Sequence, residues 1–194
     1  MTFKASMKIA VCIKQVPNIS KLAFDYERKI IIRHEVPLEV NVFDLVSLGR
    51  ALQLKNELGA RVTAITMGPP QAKAALAHCL AAGADEAILI SDDVMAGSDT
   101  LATSRTLSLA LKSQAYDLIF CGRNSTDAET GQVGPQIAEI LGMPHVSRIR
   151  KLDYFAETNS IVTERVTDEG FETIQSTLPA LVTATEGLAE ERGE

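Results

Sequence analysis

Residues 8–16 read Lys8-Ile9-Ala10-Val11-Cys12-Ile13-Lys14-Gln15-Val16, and Pro17-Asn18 close the run. The apolar residues follow one another without the alternation of a half-exposed strand, so both faces of this segment must be covered. Such a strand belongs in a parallel sheet with helices on each side. The downstream segments agree with it. Val42–Leu58 carries Leu45, Leu48, Leu52 and Leu54 at helical spacing, and Gly59 ends it. Strands are expected over 62–67, Glu86–Ile90 and 117–121, and helices over 71–82, 99–112 and 135–141. Segments 22–26 and 29–33, around Glu27-Arg28, predict a small hairpin excursion.

This alternation predicts an α/β fold: a three-layer, Rossmann-like parallel sheet with helices on both faces and right-handed crossovers. From Val146 the period changes. Segments 146–155, 160–166, 171–177 and Ala180–Ala184 predict antiparallel strands, with a hairpin turn at Asp168-Glu169-Gly170. The organisation expected is a disordered leader over 1–7, a single Rossmann-like domain over 8–185, and a projecting acidic tail over 186–194.

A chain of 194 residues with 46% hydrophobic content can bury one sizeable core. A net charge of −6 argues against nucleic-acid binding through a basic surface. No apolar run approaches the ~18 residues of a membrane span, and the N-terminus lacks the apolar core of a signal peptide. Cys12, Cys79 and Cys121 lie far apart without CxxC spacing, which supports neither a disulfide framework nor zinc. A cytoplasmic protein is expected. His34, His78 and His145 are scattered and form neither a metal-ligand pattern nor a hydrolase triad.

In an open α/β sheet, ligands bind beyond the carboxyl ends of the strands, near the point where strand order reverses. The loops at 14–17, 67–70, 91–99 and 121–134 are therefore the places where chemistry can sit. The last reads Cys121-Gly122-Arg123-Asn124-Ser125-Thr126-Asp127-Ala128-Glu129-Thr130-Gly131-Gln132-Val133-Gly134 and runs into Pro135, a residue suited to the first helical position. Gly131 and Gly134 allow close backbone approach, Thr130 and Gln132 offer polar side chains, and the helix start attracts an anion. A phosphate seat and a simple cap-and-turn both fit. The loop has no Walker pattern, and no GxGxxG follows the first strand. A nucleotide held without a phosphate-bound Lys suits a resident cofactor better than phosphoryl transfer. Capping competes with ligand contact at Asp99, Thr103, Asn41 and Asp44. Arg123 faces either a ligand or a surface partner, and Cys12 and Cys121 either fill the core or border a ligand.

Several segments together resemble the β subunit of electron transfer flavoproteins over residues 7–188. They are Val11-Cys12-Ile13-Lys14-Gln15-Val16-Pro17, Asn41-Val42-Phe43-Asp44 (with Val42 where the family has Pro), and Thr66-Met67-Gly68-Pro69-Pro70. Ala82-Gly83-Ala84-Asp85, Asp99-Thr100-Leu101-Ala102-Thr103, Asp127 through Pro135 and the hairpin at 163–183 complete the set. The resemblance implies an adenine nucleotide α-hydrolase-like fold and an electron-carrier subunit with no catalytic residue. It also implies a heterodimer with an α subunit whose FAD moves between dehydrogenases and an acceptor. The β subunit would hold an adenine nucleotide: AMP as a structural ligand, or, in electron-bifurcating members, a second FAD that oxidises NADH.

Carried over by position, the nucleotide contacts fall on Cys12, Asn41, Val42, Phe43, Asp44, Met67, Ser125, Thr126, Asp127, Ala128, Glu129, Thr130, Gly131, Gln132 and Val133. The segment 127–135 is similar to the bifurcating group's Asp-Gly-Asp-Thr-Ala-Gln-Val-Gly-Pro, with Ala128 for Gly and Gly131 for Ala; AMP and FAD both stay open. Family chains continue beyond Glu194 into an arm that wraps the α subunit. A truncated partner-recognition loop implies a weaker grip on that subunit, or self-association. The alternatives are an adenine-nucleotide-binding or hydrolysing domain of the same fold, and an interaction domain without nucleotide. The hydrolase class carries a Ser-Gly-Gly-x-Asp-Ser loop after the first strand, where this chain has Lys14-Gln15-Val16-Pro17.

Overall fold

The first strand, β1 (Lys8–Cys12), lies inside the sheet and alternates its side chains between two cores. In the computed structural model, which describes residues 6–18, 20, 23–25, 29–32 and 36–189, the chain continues through β2 (Gln15–Pro17), β3 (Ala23–Asp25), β4 (Ile30–Ile32), β5 (Leu38–Val40) and α1 (Val42–Leu58). Next come β6 (Arg61–Met67), α2 (Lys73–Ala82), β7 (Glu86–Ile90), α3 (Thr100–Lys112), β8 (Leu118–Gly122) and α4 (Val133–Leu141). The chain then forms β9 (His145–Phe155), β10 (Ser160–Thr167), β11 (Gly170–Thr177) and β12 (Ala180–Ala184).

The main sheet has eight strands in the order β11-β10-β9-β12-β8-β1-β6-β7. Every pairing from β9 to β7 is parallel, and β10 and β11 add antiparallel strands at one edge. The chain runs outward from β1 to β6 and β7, then returns to lay β8 on the other side of β1. The order therefore reverses between β1 and β8, where a crevice opens at the strand ends. Ile9, Val11, Leu118, Phe120 and Val182 meet Leu48, Leu54 and Leu76 of α1 and α2 on one face. Ala10, Cys12, Ile119, Cys121 and Leu181 meet Leu107, Leu111 and Ile137 of α3 and α4 on the other. Each large aliphatic side chain buried this way contributes about 1.5–3 kcal/mol, which makes the central strands a rigid frame for the loops beyond them.

The structure departs from the sequence reading in five places. The apolar run 8–16 is not one strand: the chain leaves the sheet after Cys12, and β2 pairs instead with β5. Ala180–Ala184 is not antiparallel; β12 inserts between β8 and β9, parallel to both, which explains why all five residues are buried. Pro135 occupies the third position of α4, where the missing N–H is tolerated because no first-turn amide has an intrahelical acceptor. Residues 186–189 do not project. Leu188 is buried, Gln53 Nε2 donates to the Ala189 carbonyl at 3.0 Å, and Glu186 pairs with Arg123 at 3.2 Å. Ser6 and Met7 are engaged as well, through a Ser6 hydroxyl bond to the Gly59 carbonyl and an Arg61 N–H bond to Met7. The rest of the expected leader (1–5) and tail (190–194) lies outside the described residues, as do His34, Leu22, Tyr26, the Glu27-Arg28 turn and Arg33 of the hairpin excursion. The hairpin itself is present as β3 and β4.

Candidate nucleotide site

A cavity of about 560 Å³ opens where the strand order reverses, within the ~300–1,000 Å³ range of small-molecule sites. Its floor is the carboxyl ends of β1, β6 and β8, supplied by Cys12, Met67 and Cys121. Its walls are the loop after β7, from Ser91 to Thr100, and the loop between β8 and α4. The two walls differ in charge: Lys14 and Arg123 stand on one side, Asp92, Asp93 and Asp99 on the other. The N–H groups of Val133 and Gly134 precede the first helical bond of α4, from Gln136 to the Gln132 carbonyl, and both residues line the cavity. A helix start of this kind is an anion seat.

Side chains from α1 hold the floor and wall together. Asn41 holds the N-cap position of α1 but its side chain makes no capping bond; its Nδ2 donates to the Asn124 carbonyl at 2.8 Å and its Oδ1 accepts from Thr126 N–H at 3.2 Å. Asp44 accepts the N–H of Lys14 at 2.7 Å and of Gly122 at 3.0 Å, joining β1 to β8. Burial pushes its carboxyl up to about 7, against those two amides and Asn41, which favour the charged form. Gly122 is required by proximity, since a Cβ there would lie 2.4 Å from Asp44 Oδ1. Gly134 serves packing rather than ligand approach, because its Cβ would meet Thr183 Cγ2 at 2.7 Å. Gly131 holds φ +63°, and beside it Glu129 also adopts a left-handed turn at φ 53°. Across the mouth, Lys14 Nζ reaches both Asp127 oxygens at 2.7 and 2.8 Å and Ser125 Oγ at 3.1 Å. Asp99 caps α3 through the Ala102 N–H at 2.7 Å.

The electron transfer flavoprotein domain matches residues 29–194. The chain belongs to this family. It is 44% identical over 182 residues to the electron transfer flavoprotein subunit beta of Clostridium acetobutylicum, covering 94% of this chain and 70% of that one. Protein FixA of Azotobacter vinelandii is 43% identical over 193 residues, with 96% and 68% covered. Subunit CarD of the caffeyl-CoA reductase-Etf complex of Acetobacterium woodii is 42% identical over 188 residues, with 96% and 71% covered.

Of the positions expected to contact nucleotide in an electron transfer flavoprotein domain, Cys12, Asn41, Asp44, Met67, Ser125, Ala128, Thr130, Gly131, Gln132 and Val133 line the cavity. The other five are not among its lining residues. Val42 is half exposed on the outer side of α1, and Phe43 is buried with the Arg123 guanidinium 4.3 Å from its ring centroid. Thr126 gives its N–H to Asn41, Asp127 is tied to Lys14, and Glu129 gives its N–H to the Ser125 carbonyl at 2.8 Å. The cavity also takes in residues that the sequence reading placed in its candidate loops without naming them as nucleotide contacts, chiefly Lys14, Gly68, Pro69 and Asn124. Lys14 was legible as a member of the candidate loop 14–17, but its ionic partner was not, being more than a hundred positions away. Asn124 Oδ1 and Arg123 Nε are buried without a hydrogen-bond partner among the described residues. The start of α4 and the basic side chains of Lys14 and Arg123 line the cavity and fit a phosphate-bearing ligand, so the residues present suit an adenine nucleotide.

Proposed function

We propose that this chain is the β subunit of an electron transfer flavoprotein and holds an adenine nucleotide, AMP or FAD, in the cavity between β1 and β8. The observation that carries this reading is the convergence at one crevice of an anion-attracting helix start and two basic side chains, Lys14 and Arg123. The start of α4, Lys14 and Arg123 would hold its phosphates, and the loop after β7, with Asp92, Asp93 and Asp99, would face the rest of the nucleotide. Bound there, the nucleotide supplies a rigid polar filling in AMP form, or a second redox centre as FAD. The chain's own residues bind and orient it: Asn41 and Asp44 fix the strand ends and the loop, and Gly131 sets the turn that aims the amides.

The same reading makes the chain one half of a heterodimer whose α subunit carries electrons from dehydrogenases to an acceptor. The three cysteines are free, which suits the reducing cytoplasm. Among the described residues no helix is long and apolar enough to cross a membrane.

The test is direct. The purified chain is denatured by heat, and the supernatant is analysed by absorbance and mass. AMP or FAD in near-equal amount to protein is the expected result. A chain that releases no adenine nucleotide and also fails to bind added AMP and FAD by titration calorimetry overturns the proposal.

A further inference from the structure

We propose that Cys12 and Cys121 form a dithiol that closes reversibly to a disulfide at the floor of the cavity. Val11 of β1 pairs in parallel with Phe120 of β8, so the next position on each strand sets Cys12 beside Cys121. Both side chains belong to the core on the α3 and α4 side, so they share a face. Both thiols are free, and both residues line the cavity. Neighbouring strands run about 4.8 Å apart, within the ~4.4–6.8 Å between Cα atoms that a disulfide spans. Cys79 provides an internal reference: it is wholly buried in the core on the opposite face, among α2 residues.

The chemistry divides between the two sulfurs. The neighbouring Cys12 thiol, burial and the nearby Asp44 carboxyl all push the Cys121 thiol well above its ordinary range, so Cys121 keeps its proton. A peroxide entering the cavity therefore meets Cys12 as the accepting sulfur. Cys12 sulfur takes one oxygen of hydrogen peroxide to become a sulfenic acid, and one water leaves. Cys121 sulfur then attacks the sulfenic sulfur, the S–O bond breaks, and the hydroxyl departs with the Cys121 proton as a second water. Two thiols and one peroxide become one disulfide and two waters, and a dithiol reductant reverses the step. The bond fastens β1 to β8 at the point where strand order reverses, and it replaces two S–H groups of the floor with an apolar S–S link.

The experiment uses the full chain freed of ligand, so its failure concerns the thiol pair alone and leaves nucleotide retention to its own test. Protein is treated with equimolar hydrogen peroxide, alkylated with N-ethylmaleimide in denaturant, and digested without reduction. The expected product is a Cys12–Cys121 cross-linked peptide lacking two hydrogen atoms, lost on dithiothreitol treatment, with Cys79 alkylated. In Cys121→Ser, dimedone traps a sulfenic acid on Cys12, whereas Cys12→Ser gives no such adduct on Cys121. Alkylation of Cys12 and Cys121 to the same extent as Cys79, or sulfinic acid on either without a cross-link, overturns the proposal. Should a serine variant fail to fold, the wild-type peptide map decides.

Discussion

Two backbone amides converge on the Asp44 carboxyl, from Lys14 at 2.7 Å and from Gly122 at 3.0 Å, and a side chain only 5% exposed receives them. Burial dominates, and the folded protein holds this proton up to about 7 against an ordinary value of 3.8. Between those two values the folded state binds more protons than the unfolded chain, so stability falls as pH rises through that window. The limiting slope is about 1.4 kcal/mol per pH unit. Other groups titrate there too, so the readout is the difference in urea unfolding free energy between the ligand-free wild type and Asp44→Asn. Wild type should lose ground to the variant as pH rises from about 4 to about 7, then run parallel to it. A difference that stays flat across the window would mean that Asp44 is already ionised in the folded state.

At the scale of elements, the loop between β8 and α4 is held by a latch from a different part of the chain. Lys14 leaves the end of β1 and grips Asp127 with both carboxylate oxygens, with Ser125 alongside. Burial opposes the charged carboxylate, but the bonds from Lys14 and Ser125 outweigh it and hold Asp127 below its ordinary range. Lys14 also lines the cavity, so under the proposed function its ammonium would serve both the loop and the nucleotide. Lys14→Gln should weaken AMP binding about tenfold, the worth of one charge-assisted hydrogen bond. Asp127→Asn should leave AMP binding equal or tighter, because it frees the ammonium toward the phosphate. Equal losses in both variants, measured by calorimetry, would make the pair a purely structural brace. This latch also marks the limit of what the sequence discloses. Apolar runs and glycine stops announced α1, β6, β7, α3 and β8 because those signals are local. Where the 8–16 run leaves the sheet was hidden, since β2 depends on its pairing with the distant β5. The insertion of β12 between β8 and β9 was hidden likewise, although its unbroken burial was foreshadowed by the run Ala180-Leu181-Val182. The candidate site was legible as a set of loops; the Lys14–Asp127 and Asn41–Asn124 contacts that shape it join segments far apart in sequence.

Across the whole molecule, the cavity draws residues from both sides of the strand-order reversal: β6 and the loop after β7 from one half, β8 and the start of α4 from the other. The two cores share β1 and β8 as alternating faces of the same strands, which couples the packing above the sheet to the packing below it. A ligand that bridges the reversal must therefore stabilise the entire fold rather than one loop. At a free concentration 100 times its dissociation constant, a nucleotide bound only to the native state adds about 2.7 kcal/mol. For a domain of this size, that raises the thermal midpoint by roughly 5–10 °C. Scanning calorimetry of the ligand-free chain with AMP, with FAD and with inorganic phosphate tests this at whole-molecule scale. One adenine nucleotide should shift the single transition upward intact, with phosphate alone giving a smaller shift from the anion seat. A transition that splits in two would show that the halves fold independently, and a midpoint unmoved by both nucleotides would remove the crevice as their binding place.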